Sequence, residues 1–393
     1  ALKDPPTRLL GTRAPLGVTG NSGTGTGSGS GSETAYNEGS EARAQMVVDI
    51  ERGIGWEPPA GWARITTIDA HTAGEPLRVI LSGFPDIEGE TILERRRFVH
   101  EHHDALRTAL MLEPRGHADM YGCLIVPPER EGSDFGVLFL HNEGYSTMCG
   151  HGIIAVTTVV LESGMLPMNG PETVVRIDTP AGLVTSRARI ENGRVVNVAF
   201  ENVPSFVLLR DRTVKVPGLG AVNYDVAYGG AFYAFVESTE VGLTLGPESF
   251  RPLIEKGMAI KRAVMEAEAI EHPFEEDLGF LYGTIFTGPP LSKGADSRNV
   301  CIFAEGEVDR SPTGTGVSAR AAIRLARGEM EIGDSMVIES IIGSRFRVAA
   351  LSETDYGPHP AVVPEVEGTA SITGRHEFLI DPEDVLGEGF ILR

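Results

Sequence analysis

Cysteine is scarce: Cys123, Cys149 and Cys301 are the only three in 393 residues. That is too few for a disulfide framework, and none forms a C-x-x-C metal or redox motif. A reducing, cytoplasmic setting is the expectation. Long apolar runs are also missing. No stretch approaches roughly 18 uninterrupted apolar residues, so no membrane span is expected. The first residues lack the basic, apolar and cleavage regions of a signal peptide, so secretion by that route is not expected either. Basic residues are outnumbered, 34 Lys and Arg against 55 Asp and Glu, giving a formal charge of -21 and a pI near 4.9. Nucleic-acid binding needs clustered cations to neutralise phosphate, and no basic stripe is present. The one cluster, Arg95-Arg96-Arg97, is bounded by Glu94 and Glu101 and reads as a solvated helix face.

A phosphate-cradling loop is absent too. Residues 20–32 are almost entirely Gly, Ser and Thr, but no strand precedes them and no Lys-Ser or Lys-Thr closes them. Such a composition cannot bury apolar surface and behaves as flexible coil. Residues 1–60 are therefore read as a Gly/Ser-rich flexible appendage. His100, His102 and His103, with Glu101 and Asp104, resemble a metal cluster in composition only. Helical neighbours one and two apart do not converge on one ion, so a solvent-facing helix is expected and no metal site is assigned.

What the chain does have is length and 41% hydrophobic residues, enough for two domains with their own cores. Short apolar strands alternate with Gly, Pro and Asp turns from Arg64 onward, as in Ile65-Thr66-Thr67-Ile68, Cys123-Leu124-Ile125-Val126 and Val137-Leu138-Phe139-Leu140. Helical spacing is clearest over residues 153–163, 250–269 and 317–327. The pattern is α+β rather than a strict βαβ array. It suggests a first half over residues 61–210 and a second over 211–393, the C-terminal segment being assignable to the first half as well.

Two segments stand out. Met148-Cys149-Gly150-His151-Gly152 and Ser311-Pro312-Thr313-Gly314-Thr315-Gly316 each lead directly into a helical stretch. Unpaired N–H groups and the positive dipole end make a helix start an anion site, and Gly lets a ligand approach the backbone. One segment carries a thiol and the other a hydroxyl at the equivalent place. A thiol at a helix N-terminus can be made a base near neutral pH, whereas an alcohol cannot be ionised usefully without a dedicated partner. The asymmetry points to chemistry with one base.

These two segments resemble the paired signature motifs of the proline racemase family. Asp69-Ala70-His71-Thr72-Ala73-Gly74-Glu75-Pro76-Leu77-Arg78 and Glu113-Pro114-Arg115-Gly116-His117-Ala118-Asp119-Met120-Tyr121-Gly122 support the likeness, which covers residues 63–393. In the family's racemases and epimerases each motif presents a Cys, one to each face of the substrate ring. Thr313 in the second motif instead matches the trans-3-hydroxy-L-proline dehydratase branch. The resemblance implies a hydro-lyase on the diaminopimelate-epimerase-like fold: two pseudo-symmetric domains, each a curved sheet around a central helix, with the site between them. It implies no cofactor and no metal, with hydroxyproline as the small-molecule partner. It leaves the oligomeric state open, with a homodimer favoured. Carried over by motif, Cys149 is the proton acceptor, and Gly150, His151, Asp309, Gly314 and Thr315 hold the carboxylate and ring nitrogen.

The chemistry agrees with that branch. In trans-3-hydroxy-L-proline the α-hydrogen and the hydroxyl lie on one ring face, so a single base reaches both. Cys149 thiolate would remove the α-proton, helix-end N–H groups would stabilise the growing charge, and the enamine left by loss of water would tautomerise to 1-pyrroline-2-carboxylate. Cys149 itself is one candidate donor to the leaving hydroxyl. Blander roles exist for each residue: an inert buried thiol for Cys149, a helix cap or space-filler for His151, an N-cap for Thr313. Cys123 and Cys301 read as core residues of apolar strands, and Cys301, in Asn299-Val300-Cys301-Ile302-Phe303, should not be able to stand in for Thr313. Phe232 and Tyr233 read either as strand packing or as an apolar wall for a pyrrolidine ring. Besides the dehydratase, a proline racemase or hydroxyproline 2-epimerase and a non-catalytic amino-acid-binding protein remain as alternatives.

Overall fold

The computed structural model describes residues 50–392. The Gly/Ser-rich run expected to be flexible coil lies outside the described residues. The chain divides into two compact units at Glu57/Pro58. Among the described residues of the first is one short helix, α1 (Ile50–Ile54). The second, from Pro58 onward, holds everything that follows.

Its first run of elements is β1 (Ala63–Thr72), β2 (Glu75–Ser82), α2 (Ile92–His102), α3 (Asp104–Met111), β3 (Tyr121–Val126), β4 (Phe135–His141), β5 (Gly144–Ser146), α4 (Gly150–Glu162), β6 (Glu172–Thr179), β7 (Gly182–Glu191) and β8 (Arg194–Glu201). Then come β9 (Ser205–Val216), β10 (Gly220–Tyr228), β11 (Phe232–Glu237), α5 (Phe250–Ala267), β12 (Leu281–Gly288), β13 (Ser297–Phe303) and β14 (Glu307–Val308). The chain ends with α6 (Gly314–Ala326), β15 (Ser335–Glu339), β16 (Arg345–Tyr356), β17 (His359–Gly368) and β18 (Ala370–Ile380).

The pairing pattern occurs twice. β2 pairs in parallel with β3, β3 antiparallel with β4, β4 with the short β5 and in parallel with β6, and β6, β7 and β8 follow antiparallel. β11 through β17 repeat this order and these directions strand for strand. α4 and α6 occupy the same place in the two copies, after the short strand. This is the two-half α+β architecture anticipated from the paired motifs. β18 pairs with β1, so the end of the chain returns to the first copy. The boundary anticipated at residue 210 falls inside β9, whose residues on both sides of it pair with β10.

α4 is apolar around its whole circumference, which only burial on every side accommodates. Residues 150–161 are all buried, packed against β1, β2, β7, β8 and β18. Its two threonines keep their hydroxyls satisfied: Thr157 Oγ1 lies 2.9 Å from Ser186 Oγ, and Thr158 donates to the Ile154 carbonyl at 2.9 Å. α6 is buried over residues 314–323 and packs against β9, β10, β16 and β17. Both central helices therefore point fixed N-termini at one place.

The arginine cluster departs from the solvated face read from the sequence. Arg95 is buried and donates to the Gly89 and Pro127 carbonyls at 3.0 and 2.6 Å, and half-buried Arg96 donates to the Tyr145 carbonyl at 2.9 Å. Only Arg97 is exposed, paired with Asp277 at 2.7 Å. Buried guanidiniums need acceptors, and these carbonyls supply them. Among the described residues, no helix is long and apolar enough to cross a membrane.

Candidate active site

The starts of α4 and α6 meet at their glycines. A Cβ built on Gly150 would lie 2.5 Å from Gly314 Cα, and one built on Gly314 would lie 2.5 Å from Gly150 Cα. No other residue type allows two backbones to come this close. The N–H groups of Gly150, His151, Gly314 and Thr315 therefore belong to two helix starts in contact, a position suited to one carboxylate.

Cys149 is the N-cap of α4, 5% exposed, its sulfur accepting from the Gly152 N–H at 3.3 Å. Burial pushes its thiol well above the ordinary cysteine value; the Gly152 N–H and Tyr121 pull the other way, while Asp309 and Glu75 push it further up. The helix-start effect expected from sequence has the right sign, but burial outweighs it. His151 Nδ1 is 3.2 Å from the sulfur. Burial holds that imidazole's pKa down to about 3, so it is neutral through the physiological range. His151 is fixed from both sides, by Thr72 Oγ1 donating to its carbonyl at 2.9 Å and by Tyr121 packed edge-on at 4.8 Å.

Thr313 holds the N-cap position of α6, but its side chain makes no capping hydrogen bond. Its backbone has φ 68°, a conformation that a β-branched residue rarely adopts and of a kind that clusters at active sites and ligand clamps. The hydroxyl is buried without a hydrogen-bond partner among the described residues, near the Asp309 carboxyl and the Cys301 thiol. Cys301 is a core residue of β13 as expected, yet it also borders the same cavity as Cys149 and Thr313. Cys123 is core alone.

Asp309 accepts from the Ser311 N–H at 2.7 Å, and burial pushes its carboxyl up to about 6. Residues 67–391 of the chain match the family model "Proline racemase". The chain belongs to the proline racemase family. A trans-3-hydroxy-L-proline dehydratase of Bacillus cereus is 50% identical over 83% of this chain and 98% of its own. A 3-hydroxyproline 2-epimerase of Burkholderia multivorans is 43% identical over 84% and 98%. Among solved structures, a hydroxyproline epimerase from Agrobacterium vitis with bound trans-4-hydroxy-L-proline superposes with a TM-score of 0.80 at 35% identity, covering 84% of this chain and 96% of that one.

The proline racemase fold brings all seven motif residues singled out in the sequence, Cys149, Gly150, His151, Asp309, Thr313, Gly314 and Thr315, to the lining of one cavity. It also recruits residues that the motifs do not contain. Glu75, fully buried, accepts from the Arg310 N–H at 2.7 Å, and Arg310 Nη1 pairs with Asp119 at 2.8 Å. The two supporting stretches thus brace the second motif. Burial and the neighbouring Asp309 raise the Glu75 carboxyl well above its usual value. Tyr121, Tyr233 and Tyr282, with Met148 and Phe303, complete the wall: Tyr233 Oη is 2.7 Å from Thr315 Oγ1, and Tyr121 Oη is 3.4 Å from Tyr282 Oη across the two halves. Of the two aromatic residues weighed in the sequence, Tyr233 lines the cavity and Phe232 packs in the core. The free volume, about 20 Å³, has room for roughly one water, less than a pyrrolidine ring fills. Among the described residues, no group of three or more His, Cys, Asp or Glu is arranged to hold a metal ion.

Proposed function

We propose that this chain dehydrates trans-3-hydroxy-L-proline to 1-pyrroline-2-carboxylate, with Cys149 as the base on the α-proton. The observation that carries this reading is the pair of residues that line one cavity at the two abutting helix starts, a thiol at Cys149 and a hydroxyl at Thr313. Inversion needs an acid across the ring, whereas loss of water from one face does not. The Bacillus cereus relative's name supports the same substrate and reaction.

The substrate carboxylate lies against the N–H groups of Gly150, His151, Gly314 and Thr315, and ionised Asp309 takes the ring ammonium. That cation beside the sulfur offsets part of the burial that holds the proton on the thiol. The neutral imidazole of His151, 3.2 Å away, orients the thiol by hydrogen bonding but, with a pKa of about 3, is too weak a base to keep the thiol proton, which leaves to solvent as the substrate ammonium arrives. The thiolate then takes the α-proton while the helix N–H groups stabilise charge growing on the carboxylate. The same S–H protonates the departing C3 hydroxyl on that face, the C3–O bond breaks, and the thiolate is restored as water leaves. The enamine product tautomerises in solution.

Assay of the purified protein with trans-3-hydroxy-L-proline tests the proposal: 1-pyrroline-2-carboxylate must form, and survival of the substrate contradicts it. Epimerisation at C2 is the second reading, favoured by the Cys301 thiol beside Thr313 and by the named epimerase relatives. Thr313→Cys separates the two. On the one-base reading, it raises inversion of trans-4-hydroxy-L-proline about 10²-fold or more over the unmodified protein, measured by polarimetry; equal inversion before and after the change favours the second reading.

The pH profile has a defined sign. With Asp309 near 6, kcat/KM falls as pH drops through about 6, because protonated Asp309 no longer attracts the ammonium. His151, held near 3, contributes no limb between pH 5 and 8. A profile flat from pH 5 to 8 contradicts the assignment of Asp309.

A further inference from the structure

A second cavity, of about 460 Å³, lies along the C-terminal half of α6 and shares no lining residue with the catalytic one. Arg320 forms part of its wall and is only 7% exposed. Its Nη1 donates to Asn299 Oδ1 at 2.6 Å and to the Arg298 carbonyl at 3.4 Å. Among the described residues no carboxylate pairs with it, and its other two nitrogens donate to no protein acceptor. A buried guanidinium with no carboxylate in direct contact is costly; burial together with neighbouring Arg324 pulls its pKa down to about 10, against the attraction of Glu237 and Glu329.

Arg324, one turn further along α6, lines the same cavity and has only a 3.9 Å contact with Glu329. Arg327 differs, being held by Asp211 and Asp225 at 2.7 Å each. Glu237 and Glu240 also line the cavity. Glu237 accepts from Thr287 Oγ1 at 2.5 Å and Glu240 from the Asn223 N–H at 3.0 Å, but no cation pairs with either among the described residues. The cavity thus offers two guanidiniums without a short ion pair and two carboxylates hydrogen-bonded only to neutral donors. A ligand with one charge of each sign satisfies both sets.

We propose that this cavity binds a small free α-amino acid, its carboxylate on Arg320 and Arg324 and its ammonium on Glu237 and Glu240. The site has a route to the catalytic loop. Asn299, which accepts from Arg320, donates through Nδ2 to the Pro312 carbonyl at 3.4 Å, next to Thr313. Charge drawn onto Arg320 is therefore felt at the start of α6.

Calorimetric titration of the intact protein with glycine, L-alanine and L-aspartate tests this, with acetate and methylammonium chloride in parallel. At least one amino acid binds saturably, and both single-charge probes bind about tenfold more weakly or worse, since each lacks one charge-assisted contact. Arg324→Ala and Glu237→Gln, both outside the catalytic cavity, each weaken amino-acid binding by about tenfold or more. In the unmodified protein the bound amino acid changes kcat/KM, and in Arg324→Ala it does not. Absence of binding by all three amino acids overturns the proposal, as does binding untouched by both substitutions or acetate binding as tight as the amino acid. Binding that leaves kcat/KM unchanged overturns the coupling.

Discussion

Cys149→Ala lowers kcat for dehydration by about 10³-fold or more, the scale of a lost general base. Cys149→Ser loses nearly as much, because a serine hydroxyl cannot be ionised where burial already resists a thiolate. Neither change threatens the fold: the side chain is small, and the helix it caps is buried through residue 161. Steady-state kinetics alongside thermal melting checks both points. A Cys149→Ala protein that keeps kcat within tenfold would put the base elsewhere, with Cys301 the next thiol in the cavity.

The second large effect comes from a methyl group. Gly314→Ala drives a Cβ to 2.5 Å from Gly150 Cα and 3.1 Å from Gly150 C. These are backbone atoms that no rotamer change can move aside, so one helix start must shift against the other. Overpacking of this kind costs about 1–3 kcal/mol. Displacing either half of a shared carboxylate site by about 1 Å costs on the order of 10²-fold in turnover. Gly150→Ala behaves likewise, with the Phe200 ring as a further obstacle at 3.1 Å. Activity equal to that of the unmodified protein in Gly314→Ala would mean that the two helix starts do not act on one ligand.

Much of this site was legible because its signals are local. A Gly-flanked Cys or Thr before an apolar stretch marks a helix start, and α4 and α6 follow the two motifs directly. Their first turns begin three residues ahead of the apolar spacing, at Gly150 and Gly314, because Gly150-His151-Gly152 and Gly314-Thr315-Gly316 look like loop until the helix N-termini are packed together. Thr313 has a residue type suited to capping, but only the folded backbone gives the φ of 68° and withholds the cap. The thiol of Cys149 shows the same limit. The helix-start contribution follows from neighbours in sequence, whereas burial and the charges of Asp309 and Glu75 come from the assembled halves.

Long-range partners account for the rest. Glu75 meets Arg310 across 235 positions, and Tyr121 meets Tyr282 across 161; no periodicity or spacing connects such residues. The charged neighbours of Arg95 suggest a solvated side chain, yet its acceptors are carbonyls of Gly89 and Pro127, outside the helix. The C-terminal strand β18 pairs with β1 at the other end of the fold, which alternation within either strand does not reveal.

The central claim is that one thiol works on one face of the ring. Proton NMR of the purified protein in D2O with trans-3-hydroxy-L-proline, and with L-proline and trans-4-hydroxy-L-proline under identical conditions, tests it most directly. The account predicts conversion of the 3-hydroxy substrate to 1-pyrroline-2-carboxylate, with no inversion and no deuterium at Cα of inverted product from the other two. Epimerised, Cα-deuterated products from a surviving 3-hydroxy substrate would contradict it and require a second acid opposite Cys149.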